Sequence, residues 1–153
     1  VTPVLTFFEK PRTYSVVLCL AACLYFYLFV TLLFASPGFL ASIGVPGNES
    51  AYFLARRASA LMLGFAVLAF LARNLRSAVA RRAVAFSIAV NMAGFAVLSI
   101  AEFRRGFANS GILTPAVVES LLAAVCFLLW LAARQAARRE ETHSSPTPRG
   151  RLA

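Results

Sequence analysis

The chain has 153 residues, 60% of them hydrophobic and 14% charged, with 15 Lys+Arg against 6 acids and a formal charge of +9. A soluble domain is about 45–50% apolar and about 25% charged, and a chain this short has too little interior to bury such an excess. The arginines sit between and beside apolar runs rather than in a patch interleaved with exposed aromatics, which excludes nucleic acid and points to membrane topology and anionic lipid head groups.

In chain order, residues 1–13 form a polar lead carrying Lys10 and Arg12, expected on the cytoplasmic side. Val1 reads as a start codon taken literally or as the end of a trimmed fragment. The first apolar run, 14–36, is longer than a secretory h-region and lacks a small-residue cleavage pattern, so it reads as an uncleaved anchor. Cys19 and Cys23 lie in it and Cys126 in the last run. With no C-x-x-C, they read as small hydrophobes rather than redox groups. "SPGFLASIGVPGNES", Ser36–Ser50, is punctuated by proline and glycine and reads as a loop. Its Phe39, Leu40 and Ile43 are apolar enough to lie on the membrane surface, and Asn48 or Ser50 caps the next helix.

The second run, 51–73, holds Arg56 and Arg57. Without them the apolar stretch is only 58–72, too short to cross a bilayer that needs about 20 residues. The third span is 83–103, and Thr114-Pro115 opens a fourth, 115–133, as capping threonine and first-turn proline. Residues 135–153 read as a polar cytoplasmic tail, disordered past Glu141, which contains the sole histidine, His143. The membrane part therefore lacks the histidine ligands of haem, di-iron and histidine–zinc sites. No metal and no cofactor is expected.

Counting Lys and Arg sets the topology. Lys10, Arg12, Arg73, Arg76, Arg81, Arg82, Arg134, Arg138 and Arg139 gather on one side, and the first loop has none. Both termini are expected in the cytoplasm, with Arg104 and Arg105 as an exception on the outer side. The fold class that follows is an all-α integral membrane protein, with residues 14–134 forming a four-transmembrane-helix bundle in a bacterial cytoplasmic membrane.

In this topology the embedded charges share one depth near the outer face. Arg56 and Arg57 lie roughly 9 Å into the second helix at 1.5 Å per residue. Glu119 lies about a turn into the fourth, and Glu102, Arg104 and Arg105 close the third. An arginine at mid-helix costs about 2.5–3.5 kcal/mol, reduced where the guanidinium snorkels to head groups. Glutamate is shorter and needs a partner, for which Arg56 or Arg57 is the expected one. Arg56, Ala60 and Gly64 fall at i, i+4, i+8, and Ala60-x-x-x-Gly64 is a close-packing pattern. On the third helix Ser87, Asn91, Gly94, Leu98 and Glu102 share a stripe, with Asn91 placed for an interhelical hydrogen bond. On the fourth, Glu119, Ala123, Cys126 and Trp130 share a face. The cluster reads either as a structural ion-pair network or as a ligand site.

"ARRASALMLGF", "AEFRRGF" and "LTPAVVESLLAA" resemble the DoxX-like small four-helix bacterial membrane proteins over about residues 14–134. On that resemblance Arg56 or Arg57, Gly64, Arg104 or Arg105, and Glu119 match the positions that mark the family's helices. The resemblance implies a four-helix membrane fold and no established activity. The expected function is therefore non-enzymatic: an accessory or assembly subunit that packs on itself, as a homo-oligomer, or within a larger membrane complex. Membrane lipids, through anionic head groups on the cytoplasmic side, are the further expected partners. The alternative is a binder or transporter of a small anionic or amphipathic ligand at the outer Arg/Glu cluster.

Overall fold

The computed structural model describes the backbone of residues 7, 8 and 10–144, and side chains within that range as far as Gln135. Helix α1 is Pro11–Phe34, α2 Ser36–Ser42, α3 Glu49–Ala72 and α4 Ala78–Arg104; a 3-10 turn, Ser110–Ile112, leads into α5, Leu113–Ser144. Among the described residues there is no strand. Pro11–Phe34, Glu49–Ala72, Ala78–Arg104 and Ser110–Gln135 are each long and apolar enough to cross a membrane. The shortest of them, at 24 residues, spans about 36 Å at 1.5 Å per residue, against a hydrocarbon core about 30 Å thick.

The helix starts follow local chemistry. Pro11 sits in the first turn of α1, where its missing N–H is no loss. Asn48 caps α3, its side chain accepting from the Ala51 amide at 2.8 Å. Ser77 caps α4 and accepts from the Ala80 amide at 3.4 Å, which starts the helix before the expected 83 and carries Arg81 and Arg82 onto it. Thr114 is not a cap. The turn ahead of it is closed by Asn109, which accepts from the Gly111 amide at 2.8 Å, and Thr114 already lies inside α5. The backbone of α5 continues through the residues expected as tail to Ser144, and the tail beyond that point lies outside the described residues.

The segment read as a loop, Ser36–Ser50, is helical over its first half. Pro37 occupies the first turn of α2 and starts the helix instead of breaking it. The chain bends at Ala35, where φ is −126° and ψ 25°. Ser36 is buried and donates to the Leu32 carbonyl at 2.9 Å, tying α2 to the end of α1. Gly44, with φ of +75°, ends α2 in the left-handed conformation that glycine adopts without strain.

The long helices form two close pairs, α1 with α3 and α4 with α5, with sparser contact between the pairs. Buried positions recur at spacings of three and four: Tyr14, Leu18, Ala21 and Tyr25 on α1; Ser59, Met62, Ala66 and Ala69 on α3; Ala85, Ile88, Met92 and Ala96 on α4. This is the seam pattern of left-handed helix packing. Alanine and serine on the seams let backbones approach, which is how helices associate where surrounding lipid is as apolar as the interface. The outward faces carry the large apolar side chains, with Phe34 76% exposed, Leu71 69% and Val97 65%. A soluble monomer rarely exposes apolar patches on this scale.

Two tyrosines of α1 join the pairs. Asn91 of α4 donates through Nδ2 to the Tyr25 hydroxyl at 2.8 Å, and the Tyr25 ring stacks on Phe65 of α3 with centroids 5.3 Å apart. Near the other end of α1, the Arg81 guanidinium of α4 lies 4.4 Å from the Tyr14 ring centroid.

Candidate functional site

A cavity of about 280 Å³ lies where α1, α2 and the start of α5 converge. Leu24 and Tyr27 of α1, Phe39 of α2, Ile43 just after it, and Val118 of α5 give it a mainly apolar wall. Glu119 of α5 is the one ionisable carboxyl in that lining. Tyr27 and Val118 are themselves exposed, so the cavity opens sideways toward the surroundings of the helices.

Two glycines hold this wall together. The Asn109 amide donates to the Ile43 carbonyl at 2.8 Å, joining the end of α2 to the turn before α5. A Cβ on Gly44 would lie 2.8 Å from Asn109 Cβ, and one on Gly111 would collide with the Ser42 carbonyl oxygen. Only chain without side chains fits at this contact. It fixes α2 against α5 and so sets the width of the cavity.

Glu119 lies half-buried on the inner seam of α5, in register with buried Ala116 and Cys126 and half-buried Ala123. The Ser99 hydroxyl of α4 donates to its Oε2 at 3.5 Å, a long and weak contact. A carboxyl offers about four acceptor directions, and Ser99 is its one hydrogen-bond donor among the described residues, so most of its capacity is left open to a ligand. Ser99 was not among the residues expected from sequence. Its signal was the seam spacing, since it lies seven residues after the fully buried Met92.

The structure places the expected charge cluster differently. Arg56 and Arg57 are both exposed on α3, which belongs to the other helix pair from α5. Among the described residues the ion pair is Arg105 Nη1 to Glu102 Oε1 at 3.0 Å, one turn apart on α4, with Arg105 largely exposed. Arg104 is exposed as well. Ala60 and Gly64 lie on the outward face of α3, and a Cβ on Gly64 would meet nothing within 4 Å. The inward face of α3 is instead that of Ser59, Met62, Ala66 and Ala69.

On α4, Ser87 and Gly94 point outward, Ser87 bonding back to the Ala83 carbonyl at 2.9 Å. Asn91 is the member of that stripe that reaches across, to Tyr25. Trp130 packs on Phe86 and Phe127, with ring centroids 5.3 and 5.1 Å away. Cys19, Cys23 and Cys126 are free thiols. Among the described residues no group of three or more His, Cys, Asp and Glu side chains gathers as a metal site.

Set against family models, curated proteins and solved structures, the chain matches none. What the geometry offers chemically is an acceptor-rich carboxyl in the wall of an apolar, laterally open cavity.

Proposed function

We propose that the chain is a four-span integral membrane protein that holds a small amphipathic molecule in the Glu119 cavity and performs no reaction on it. The observation that carries this reading is the half-buried Glu119 carboxyl, facing an apolar cavity of about 280 Å³ with one weak donor in contact. Such a group binds a molecule with an apolar body and a hydrogen-bond-donating head, an amine above all. Arg56 and Arg57 are turned away, so the lining gives an anionic ligand no countercharge. No nucleophile with an activating base accompanies Glu119 in the lining, which favours binding over catalysis.

The membrane placement rests on the four long apolar helices and their apolar outward faces. Arg12, Arg73, Arg76, Arg81, Arg82 and Arg134 lie at the end opposite the cavity. The excess of positive charge at that end supports a cytoplasmic side for it and an outer-leaflet side for the cavity. The resemblance to DoxX-like proteins supports a bacterial cytoplasmic membrane.

A second reading, the accessory or assembly subunit, is favoured by the outward pair Ala60 and Gly64. That spacing packs helices closely, and here it faces away from the chain's own neighbours. The test is titration of the purified protein in nanodiscs with octylammonium by calorimetry. Glu119→Gln is expected to weaken binding about 10-fold, the scale of one hydrogen bond to a charged group, and Arg56→Ala to leave it unchanged. Equal affinity for wild type and Glu119→Gln would sink the cavity reading. Loss of a cross-linked oligomer in Gly64→Leu would support the second.

A further inference from the structure

At the opposite end of the molecule, the start of α1, the α3–α4 turn and the first turns of α4 enclose a pocket of about 670 Å³. Four arginines line it: Arg12 from α1, Arg73 and Arg76 from the turn, and Arg81 from α4. No carboxylate is among the lining residues described. Like charges gathered at one pocket repel one another unless an anion lies among them. The guanidinia are partly held in place. Arg73 donates to the Phe70 carbonyl at 2.7 Å with its guanidinium 3.4 Å from the Phe70 ring centroid, and Arg81 rests on Tyr14.

A second observation comes from the inner wall. Tyr14 is 2% exposed, and its hydroxyl has no hydrogen-bond partner among the described residues; the same is true of the buried Arg81 Nε. Both residues line the pocket. Buried donors left alone are rare and costly; these two lie just behind the wall of a pocket whose other polar groups are cationic or neutral. The neutral ones, Ser15 and Asn74, add further donors.

We propose that this pocket binds a phosphate group, gripped by the guanidinia of Arg12, Arg76 and Arg81, with Arg81 braced from behind by the buried Tyr14 ring. Guanidinium forks match phosphate oxygens two at a time. The pocket lies at the level where helix ends meet lipid head groups, so the phosphate belongs either to a phospholipid or to a soluble phosphate compound. The inference is independent of the Glu119 cavity, which lies at the other end.

The test uses the full chain. The lipid arm reads retention of phosphatidylglycerol by native mass spectrometry from phosphatidylcholine nanodiscs doped with it. The soluble arm titrates inorganic pyrophosphate into the detergent-solubilised protein. Wild type is expected to bind at least one probe. Retention of lipid without pyrophosphate binding assigns the phosphate to a head group, and pyrophosphate binding that displaces the lipid assigns it to a soluble compound. Arg76→Gln, at an exposed position, is expected to weaken binding about 10-fold, as for a single hydrogen bond to a charged group, and Tyr14→Phe, which keeps the ring under Arg81, to leave it unchanged. Arg105→Gln removes the same charge at the far end and is expected to change nothing. Binding of neither probe would overturn the proposal. So would an Arg105→Gln loss as large as that of Arg76→Gln, which would mark diffuse charge attraction.

Discussion

Asn91 and Tyr25 form the polar contact that crosses between the helix pairs as a hydrogen bond, at 2.8 Å. Interhelical hydrogen bonds of membrane proteins average about 0.6 kcal/mol and reach about 1.7. Tyr25→Phe keeps the stacking on Phe65 but leaves the Asn91 amide without its acceptor. It is expected to cost about 1 kcal/mol, near the upper part of that range because the group is half-buried. Asn91→Leu combined with Tyr25→Phe is expected to cost less than the sum of the two single changes. Denaturant titration of the four proteins in mixed micelles checks this, and strict additivity would show that the contact contributes nothing. Asn91 was legible in the sequence as an interhelical donor because an amide at mid-span has few other uses. Its acceptor was not, since a tyrosine in an aromatic-rich run carries no mark of direction. Glu119 shows the same divide. The face it shares with Ala123 and Cys126 followed from helical spacing, but its partner did not, and the side chain it meets is Ser99 rather than an arginine.

The long helices were legible because capping residues and apolar length are local properties. Asn48 starts a helix as read from its short polar side chain, whereas Ser77 does the same unread, six residues before the expected 83, and Thr114 does not. Helix α2 was missed because Ser-Pro-Gly resembles a breaker, and the same proline is a good first-turn residue. The seams were harder. A membrane helix is apolar on both faces, so hydrophobic periodicity loses its contrast, and small residues such as Ala60 and Ala66 occur on opposite sides. The difference lies in the repeat: 59, 62, 66 and 69 alternate by three and four over several turns. Two glycines separate these roles by experiment. Gly111→Ala forces a methyl onto the Ser42 carbonyl and is expected to lower stability by about 1–3 kcal/mol, the scale of overpacking, while loosening the Glu119 cavity. Gly64→Ala adds a methyl in open space and is expected to be neutral or slightly stabilising, by up to about 1 kcal/mol from helix propensity. Thermal unfolding of both variants in the same detergent checks the pair, and a destabilised Gly64→Ala would show that its face is packed in the native assembly.

For the molecule as a whole, the two ends differ in charge and in what joins the pairs. In the proposed orientation, a single cysteine placed at exposed Pro46 in a cysteine-free background is expected to react with an impermeant maleimide from outside intact cells. One placed at Arg76 is expected to react only after the membrane is opened. The opposite labelling pattern would invert the topology and move the basic pocket outside. Between the pairs, Tyr14 with Arg81 and Tyr25 with Asn91 act as two clips, one at the basic end and one toward the middle. Beyond the second clip, toward α2, the Glu119 cavity lies between α1, α2 and the start of α5. Parting the pairs at the basic end costs the first contact and parting them at mid-span costs the second, while parting α2 from the start of α5 costs the Asn109–Ile43 hydrogen bond, so the bundle carries a separate latch at each of three levels.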